Sequence, residues 1–90
     1  MIKVFTGDEG TVIILDCGAD VSSATVRKIK VRKPSGVQIE WAAQAEGTNA
    51  IKYVVQAGDV VLPGSWWVQA YIEMPGWKGR GEWSELLVEK

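Results

Sequence analysis

Two adjacent tryptophans, Trp66 and Trp67, stand in a run that alternates in polarity from Ser65 to Met74. In a β-strand, neighbouring side chains point to opposite faces, so one of the two rings must enter a core and the other must leave it. Trp66 shares its parity with Val68, Ala70 and Ile72, and it is expected inside. Trp67, Gln69, Tyr71 and Glu73 then line the other face. All but one of the chain's five tryptophans lie between Gly64 and Trp83. The pattern predicts an aromatic strand, a Pro/Gly loop over Met74–Glu82 with Trp77 near its tip, and a returning strand.

The same period of two recurs upstream, each time closed by turn residues. Ile2 to Phe5 reads as a short strand, followed by the turn cluster Gly7-Asp8-Glu9-Gly10. Thr11 to Cys17 places Ile13, Leu15 and Cys17 on one face and Val12, Ile14 and Asp16 on the other. Ala24 to Lys33 sets Ile29 and Val31 against Lys28, Lys30 and Arg32, the pattern of a sheet with one face in water. Pro34-Ser35-Gly36 is a tight turn. Val37 to Ala45 returns, with Val37, Ile39, Trp41, Ala43 and Ala45 expected inward. Ala50 to Gln56 gives Ile51, Tyr53 and Val55 one side, Ala57 to Gly64 reads as a crossover, and Glu82 to Val88 closes the chain with Ser84, Leu86 and Val88 inward. No amphipathic helical period occurs. The expectation is one domain over residues 1–90: an all-β, immunoglobulin-like antiparallel β-sandwich of about seven strands without a disulfide. Its core should contain Ile13, Leu15, Ile29, Val31, Ile39, Trp41, Trp66, Val68, Ala70 and Leu86.

Composition removes several function classes. There is no histidine, hence no histidine general base or metal ligand and no Ser-His or Cys-His pair. With no paired-carboxylate motif either, an enzyme is not expected. One cysteine, Cys17, allows neither an internal disulfide nor a thiolate metal cage. Asp8, Glu9, Asp16 and Asp20 lack calcium-loop spacing and read as turn formers. No metal or cofactor is expected, and stability should be indifferent to chelators and reductants. Eleven acids against ten bases leave a net charge of −1, which gives no field to gather nucleic acid or anionic lipid. Lys28, Lys30, Arg32 and Lys33 form a basic stripe without interleaved aromatics, a solvated sheet face. No apolar run spans a bilayer, and the first residues lack a secretory leader's basic start and apolar core. Synthesis and folding in the cytoplasm are therefore expected.

Asp59-Val60-Val61-Leu62-Pro63-Gly64-Ser65-Trp66-Trp67-Val68-Gln69-Ala70 resembles the penultimate strand of immunoglobulin-like domains, with Trp66, Val68 and Ala70 as the inward set. The antibody disulfide is missing, and Trp41 follows Cys17 at too great a distance to match the antibody core tryptophan. A narrower resemblance rests on Gly7-Asp8-Glu9-Gly10-Thr11, Asp16-Cys17-Gly18-Ala19-Asp20, Val31-Arg32-Lys33-Pro34-Ser35-Gly36 with Glu40-Trp41, and Gly64-Ser65-Trp66 with Gly79-Arg80-Gly81-Glu82. Together these resemble small phage and prophage proteins similar to the N-terminal β-sandwich domain of upper baseplate proteins of tailed phages. The resemblance implies a tail- or baseplate-associated structural role in a virion, with other protein subunits as partners.

The candidate binding residues are Trp77, Lys78, Arg80, Trp67 and Tyr71. Trp77, flanked by Lys78 and Arg80, is either a docking anchor with a charged rim or a plug for the end of the sandwich. Trp67 and Tyr71 either cover the stems of the Lys28–Arg32 stripe or form a binding face. The first function expected is protein docking through the hairpin or a sheet edge. The alternative is a carbohydrate-binding module that stacks sugars on Trp67, Tyr71 and Trp77.

Overall fold

The computed structural model of the chain describes residues 2–90. Among the described residues nine strands are formed: β1 (Ile2–Phe5), β2 (Val12–Asp16), β3 (Val26–Arg32), β4 (Gln38–Ala42), β5 (Gln44–Glu46), β6 (Ala50–Val54), β7 (Gly64–Met74), β8 (Trp77–Arg80) and β9 (Ser84–Glu89). They make two sheets. The larger has the order β1-β9-β7-β3-β4, with β8 also paired to β7, and the smaller has the order β2-β6-β5. In immunoglobulin terms, β2, β6 and β5 take the places of strands B, E and D, while β3, β7 and β9 take those of C, F and G. All pairs are antiparallel except β1 with β9, which run parallel from Ile2↔Leu86 to Phe5↔Glu89. The fold is an immunoglobulin-like β-sandwich with no helix among the described residues, and Cys17 is a free thiol. Among the described residues, no helix is long and apolar enough to cross a membrane.

The large sheet is organised around β7. One edge of β7 pairs with β3 from Val26↔Glu73 to Arg32↔Trp67. Its other edge pairs first with β9 and then with β8. Alternation places Trp66 at 0% exposure and leaves Trp67 40% exposed. The buried indole is not left polar and unpaired, because its Nε1 donates to the Leu62 carbonyl at 2.8 Å. Its ring centroid lies 6.5 Å from that of Trp41, and Trp41 in turn stacks on Tyr53 at 4.5 Å and 10°. The three rings bridge the sheets, with Trp66 and Trp41 from the larger and Tyr53 from the smaller. Ile13, Ile29, Val31, Ile51, Val68, Ile72, Leu86 and Val88 fill the space around them.

The turn after β3 follows its sequence. Pro34 presets one φ, Gly36 takes a φ of 91°, and Lys33 and Val37 are joined by a backbone bond of 2.9 Å. The resulting register places Lys30 opposite Glu40. Glu40 meets both Lys28 and Lys30 at 3.4 Å, and the hydrogen bond from Lys28 lowers its carboxyl pKa.

Three expectations need correction here. Val37–Ala45 is not one strand. The chain leaves the large sheet at Ala43, whose N–H still bonds Arg27 O at 3.0 Å, and it joins β6 from Gln44 onward. The inner row therefore stops at Ala43. Val37, at the hairpin mouth, and Ala45, beyond the sheet switch, are both exposed. Ser84 pairs with Val68 but lies at an open side of the sandwich and is exposed as well. Of the expected core, Ile39 is half-buried and the other nine are buried. Val55 joins the core in phase with Ile51, as its alternation implies, and Val21 and Val60 join it from segments between strands, where no alternation marks them.

Trp66→Ala is expected to cost about 3–5 kcal/mol, as for a buried aromatic. Trp67→Ala should cost about 1 kcal/mol or less, as for a half-exposed surface ring. Urea denaturation of the two variants checks the pair. A second expectation concerns alkaline pH. Burial, followed by the hydrogen bond and charge of Asp59, pushes the Tyr53 phenol up to about 12. The folded state therefore holds this proton more tightly than the unfolded chain does. The stabilisation should be complete below the unfolded value near 10 and lost as pH rises from there towards 12, and Tyr53→Phe should flatten that loss in a pH series of denaturation curves.

Candidate functional site

The return from β7 is tighter than the sequence pattern suggests. Met74 pairs directly with Trp77, so Pro75 and Gly76 alone form the turn. Pro supplies the first central φ and Gly76 takes +80° at the second, the residue pattern of a type II turn. The expected Met74–Glu82 loop is thus a hairpin: Trp77 begins the strand β8 and is not at a loop tip. β8 and β9 form one returning strand with a break. Tyr71 pairs with Arg80 and Val68 pairs with Ser84, so Gly81, Glu82 and Trp83 face only Gln69 and Ala70. This is a β-bulge, with one residue more on the returning side. Gly81 N donates to Ala70 O at 3.0 Å, and the Gln69 side chain donates to Gly81 O at 2.8 Å. Gln69 is only 7% exposed, and its Oε1 has no partner among the described residues.

The bulge decides which side chains share a face. In β9 the even residues Leu86 and Val88 point into the sandwich. Beyond the bulge the odd residues do: Trp77 and Gly79 pair with Met74 and Ile72 on the inner side, while Lys78 and Arg80 pair with Glu73 and Tyr71 on the outer side. The five candidate residues are therefore divided. Trp77 stands alone on the inner side. Lys78, Arg80, Tyr71 and Trp67 belong to the outer face of the large sheet. The expected grouping of an apolar anchor with both flanking cations fails because strand alternation separates neighbours.

On the inner side the Trp77 ring lies along its own strand. A Cβ on Gly79 would sit 2.2 Å from ring carbon Cζ2, so only glycine lets the ring lie there. The ring remains 48% exposed. It forms one lip of an open cleft of about 390 Å³. Ala70, Ile72 and Met74 supply the floor, Cys17, Ala19 and Val21 supply the opposite wall, and Arg80 stands at the rim. A second cleft of about 270 Å³ shares Ala70 and Gly81 with the first and continues along Ile14, Asp16, Glu82 and Ser84. The two form one groove between the β8–bulge side of the large sheet and the outer edge of β2. Burial, and then the charge of Asp16, raises the Cys17 thiol pKa and so disfavours the reactive thiolate.

The outer face is largely occupied by its own contacts. The Lys30 ammonium lies 5.2 Å from the Tyr71 ring centroid, and the Arg32 guanidinium lies 5.0 Å from that of Trp83. The Tyr71 hydroxyl donates to Glu73 at 2.6 Å, which raises the phenol pKa. The acidic turn residues are engaged as caps: Asp8 accepts from Phe5 N at 3.0 Å, Asp16 from Gly18 N at 2.8 Å and Asp20 from Ser22 N at 2.9 Å. Among the described residues there is no group of three histidine, cysteine or acidic side chains placed to hold a metal.

Sequence reasoning missed the other side of the groove, where Ile14, 48% exposed on β2, borders the second cleft. Part of a signal was present, since Val12 and Ile14 make both faces of that strand apolar. No known protein family matches the chain, and neither does any curated protein or solved structure.

Gly79→Ala is expected to lift the Trp77 ring off β8, because the obstructing atoms are the far end of a side chain free to swing outward. The Trp77 indole resonance should shift and Cys17 should alkylate faster. Stability should change by only about 0.5 kcal/mol, as for a surface substitution.

Proposed function

We propose that the protein is a non-enzymatic docking module that assembles with other protein subunits at the hairpin, as a phage or prophage tail or baseplate component. The observation that carries this reading is Trp77, half exposed over Gly79 at the lip of an apolar cleft. An aromatic beside an unfilled apolar hollow, with Arg80 at its rim, has the composition of an interface hot spot. The immunoglobulin-like scaffold hosts many functions and adds nothing specific. The phage setting, with the virion as destination, comes from the resemblance of the turn and hairpin motifs to baseplate sandwich domains.

The rival reading, glycan binding, rests on Trp67 and Tyr71. Lys30 already caps the Tyr71 ring and Arg32 caps Trp83, so the outer face offers Trp67 as a single ring in place of a stacking platform.

Co-expression with the products of neighbouring genes, followed by co-purification, tests the proposal. A tail or baseplate protein is expected to co-purify. Trp77→Ala should abolish this association while lowering the stability of the isolated domain by well under the ~3 kcal/mol of a core aromatic. Saturable quenching of Trp67 by soluble glycans, with no co-purifying protein, would overturn it.

A further inference from the structure

The groove beside Trp77 has a second wall with a chemistry of its own. Val55 N donates to Thr11 O at 2.8 Å and Cys17 N donates to Asn49 O at 2.7 Å, so odd-numbered residues of this segment direct their backbone groups towards β6. In an antiparallel ladder the intervening residues point the other way. The N–H and C=O groups of Val12, Ile14 and Asp16 therefore face the open side of the small sheet, where no strand follows β2. Such an edge is a template for another strand unless it is protected. The other edges are protected, that of β8 by Lys78 and Arg80. β1 carries the Lys3–Glu89 ion pair, β4 carries Glu40 clamped between two lysines, and β5 is three residues long and carries Glu46 paired to Lys52. β2 reads Val-Ile-Ile-Leu-Asp, without proline, lysine or an inward charge.

Building on the docking reading, we infer that this groove receives an extended segment of a partner polypeptide, which adds to β2 as a further strand and sends alternate apolar side chains under Trp77. The free edge supplies backbone hydrogen bonds, and the cleft supplies pockets for every second side chain. A second folded copy does not fit the role. The edge strands β1, β2 and β4 already commit Val4, Ile13, Leu15 and Trp41 to the protein's own core, so a copy pairing edge to edge leaves the cleft empty. Charge sets the direction. Arg80, which has no acidic partner among the described residues, stands at the rim of the Trp77 end, while Asp16 and Glu82 border the other. The segment should carry a carboxylate at its Arg80 end and a cation, or no charge, at the other. Its inner side chains are of valine size, since Ala70, Ala19 and Gly81 leave room but Trp77 roofs it.

The probe is a synthetic peptide of ~8 residues, about the span of β2 plus the cleft, alternating valine with threonine and bearing an aspartate at one end and a lysine at the other. Amide hydrogen exchange of the protein reads the result. With saturating peptide, the Val12, Ile14 and Asp16 amides should slow by about tenfold or more, and Cys17 alkylation should slow with them. Ile14→Pro removes the central outward N–H at an edge where proline is tolerated, and it should weaken binding by about tenfold. If that variant loses its fold by circular dichroism, Gly81→Val fills the cleft from the opposite wall at ordinary contact distance from Ala70 and carries the same expectation. A peptide of the same composition with its valines consecutive should bind more weakly.

Unchanged β2 exchange at millimolar peptide, or protection confined to the Trp67–Tyr71 face, overturns the strand inference. So does a peptide-free dimer that Ile14→Pro dissolves, because the occupant is then a second copy. In each case the docking reading stands or falls separately, on co-purification and Trp77→Ala.

Discussion

β7 joins the two halves of the larger sheet, with β9 and β8 on one edge and β3 on the other, and it is governed by a strict alternation of sides. Its inner row Trp66, Val68, Ala70 and Ile72 is buried, and its outer row begins with Trp67 in water. The neighbouring strands inherit that phase. β3 must present Val31 and Ile29 opposite Val68 and Ala70, and β9 must present Leu86 opposite Trp66. A one-residue slip at any of these pairs would exchange a core row for a charged one, so burial fixes the register along the whole sheet. The Trp66 indole adds a directional constraint, because its N–H donates to Leu62 O, in the crossover that precedes the strand.

This dependence explains which parts of the fold are legible in the sequence. The Lys28–Arg32 and Ile39–Trp41 rows alternate, and the structure pairs them in the phase the alternation implies. The choice between Trp66 and Trp67 follows from parity alone. The parallel pairing of β1 with β9 joins the two ends of the chain, and no local pattern encodes it. The sheet switch at Ala43 is hidden because alanines on both sides of it read as a continuing strand. The hairpin reads as a loop for a related reason. Glycines at 76, 79 and 81 resemble a loop, yet only Gly76 takes a positive φ, while Gly79 serves to accommodate the Trp77 ring. Beyond the apolar outer row of β2 the groove is not legible, since its walls meet only when β2 and the bulge are brought together from distant segments.

The two faces of the hairpin differ in how far their aromatic side chains are already engaged. On the outer face the cations of β3 lie over Tyr71 and Trp83, and Tyr71 also holds Glu73. Ring surface and polar tips are satisfied internally, which favours a quiet, solvated face. On the inner side, Trp77 touches its own strand and little else, and the hollow beside it is lined by aliphatic carbon and small residues. Apolar surface left in this state gains free energy when it is covered, at roughly 25 cal/mol per Å². That asymmetry, more than the number of exposed rings, directs the functional reading to the groove.

The bulge at Gly81–Trp83 gives the hairpin a property that resides in residue count and not in residue identity. Everything between Met74 and the bulge is held in phase with β7, and everything after it is held in phase with the core through Leu86 and Val88. The extra residue is the joint between these two frames. Loss of that one residue would leave two residues on each side between Tyr71–Arg80 and Val68–Ser84, so the ladder would close with Trp77 still inward and Lys78 and Arg80 still outward. Gain of one more residue there would enlarge the break without moving either frame. Variation in length at this joint should therefore be absorbed by the bulge, while the sides taken by the hairpin residues stay set by their pairing with β7.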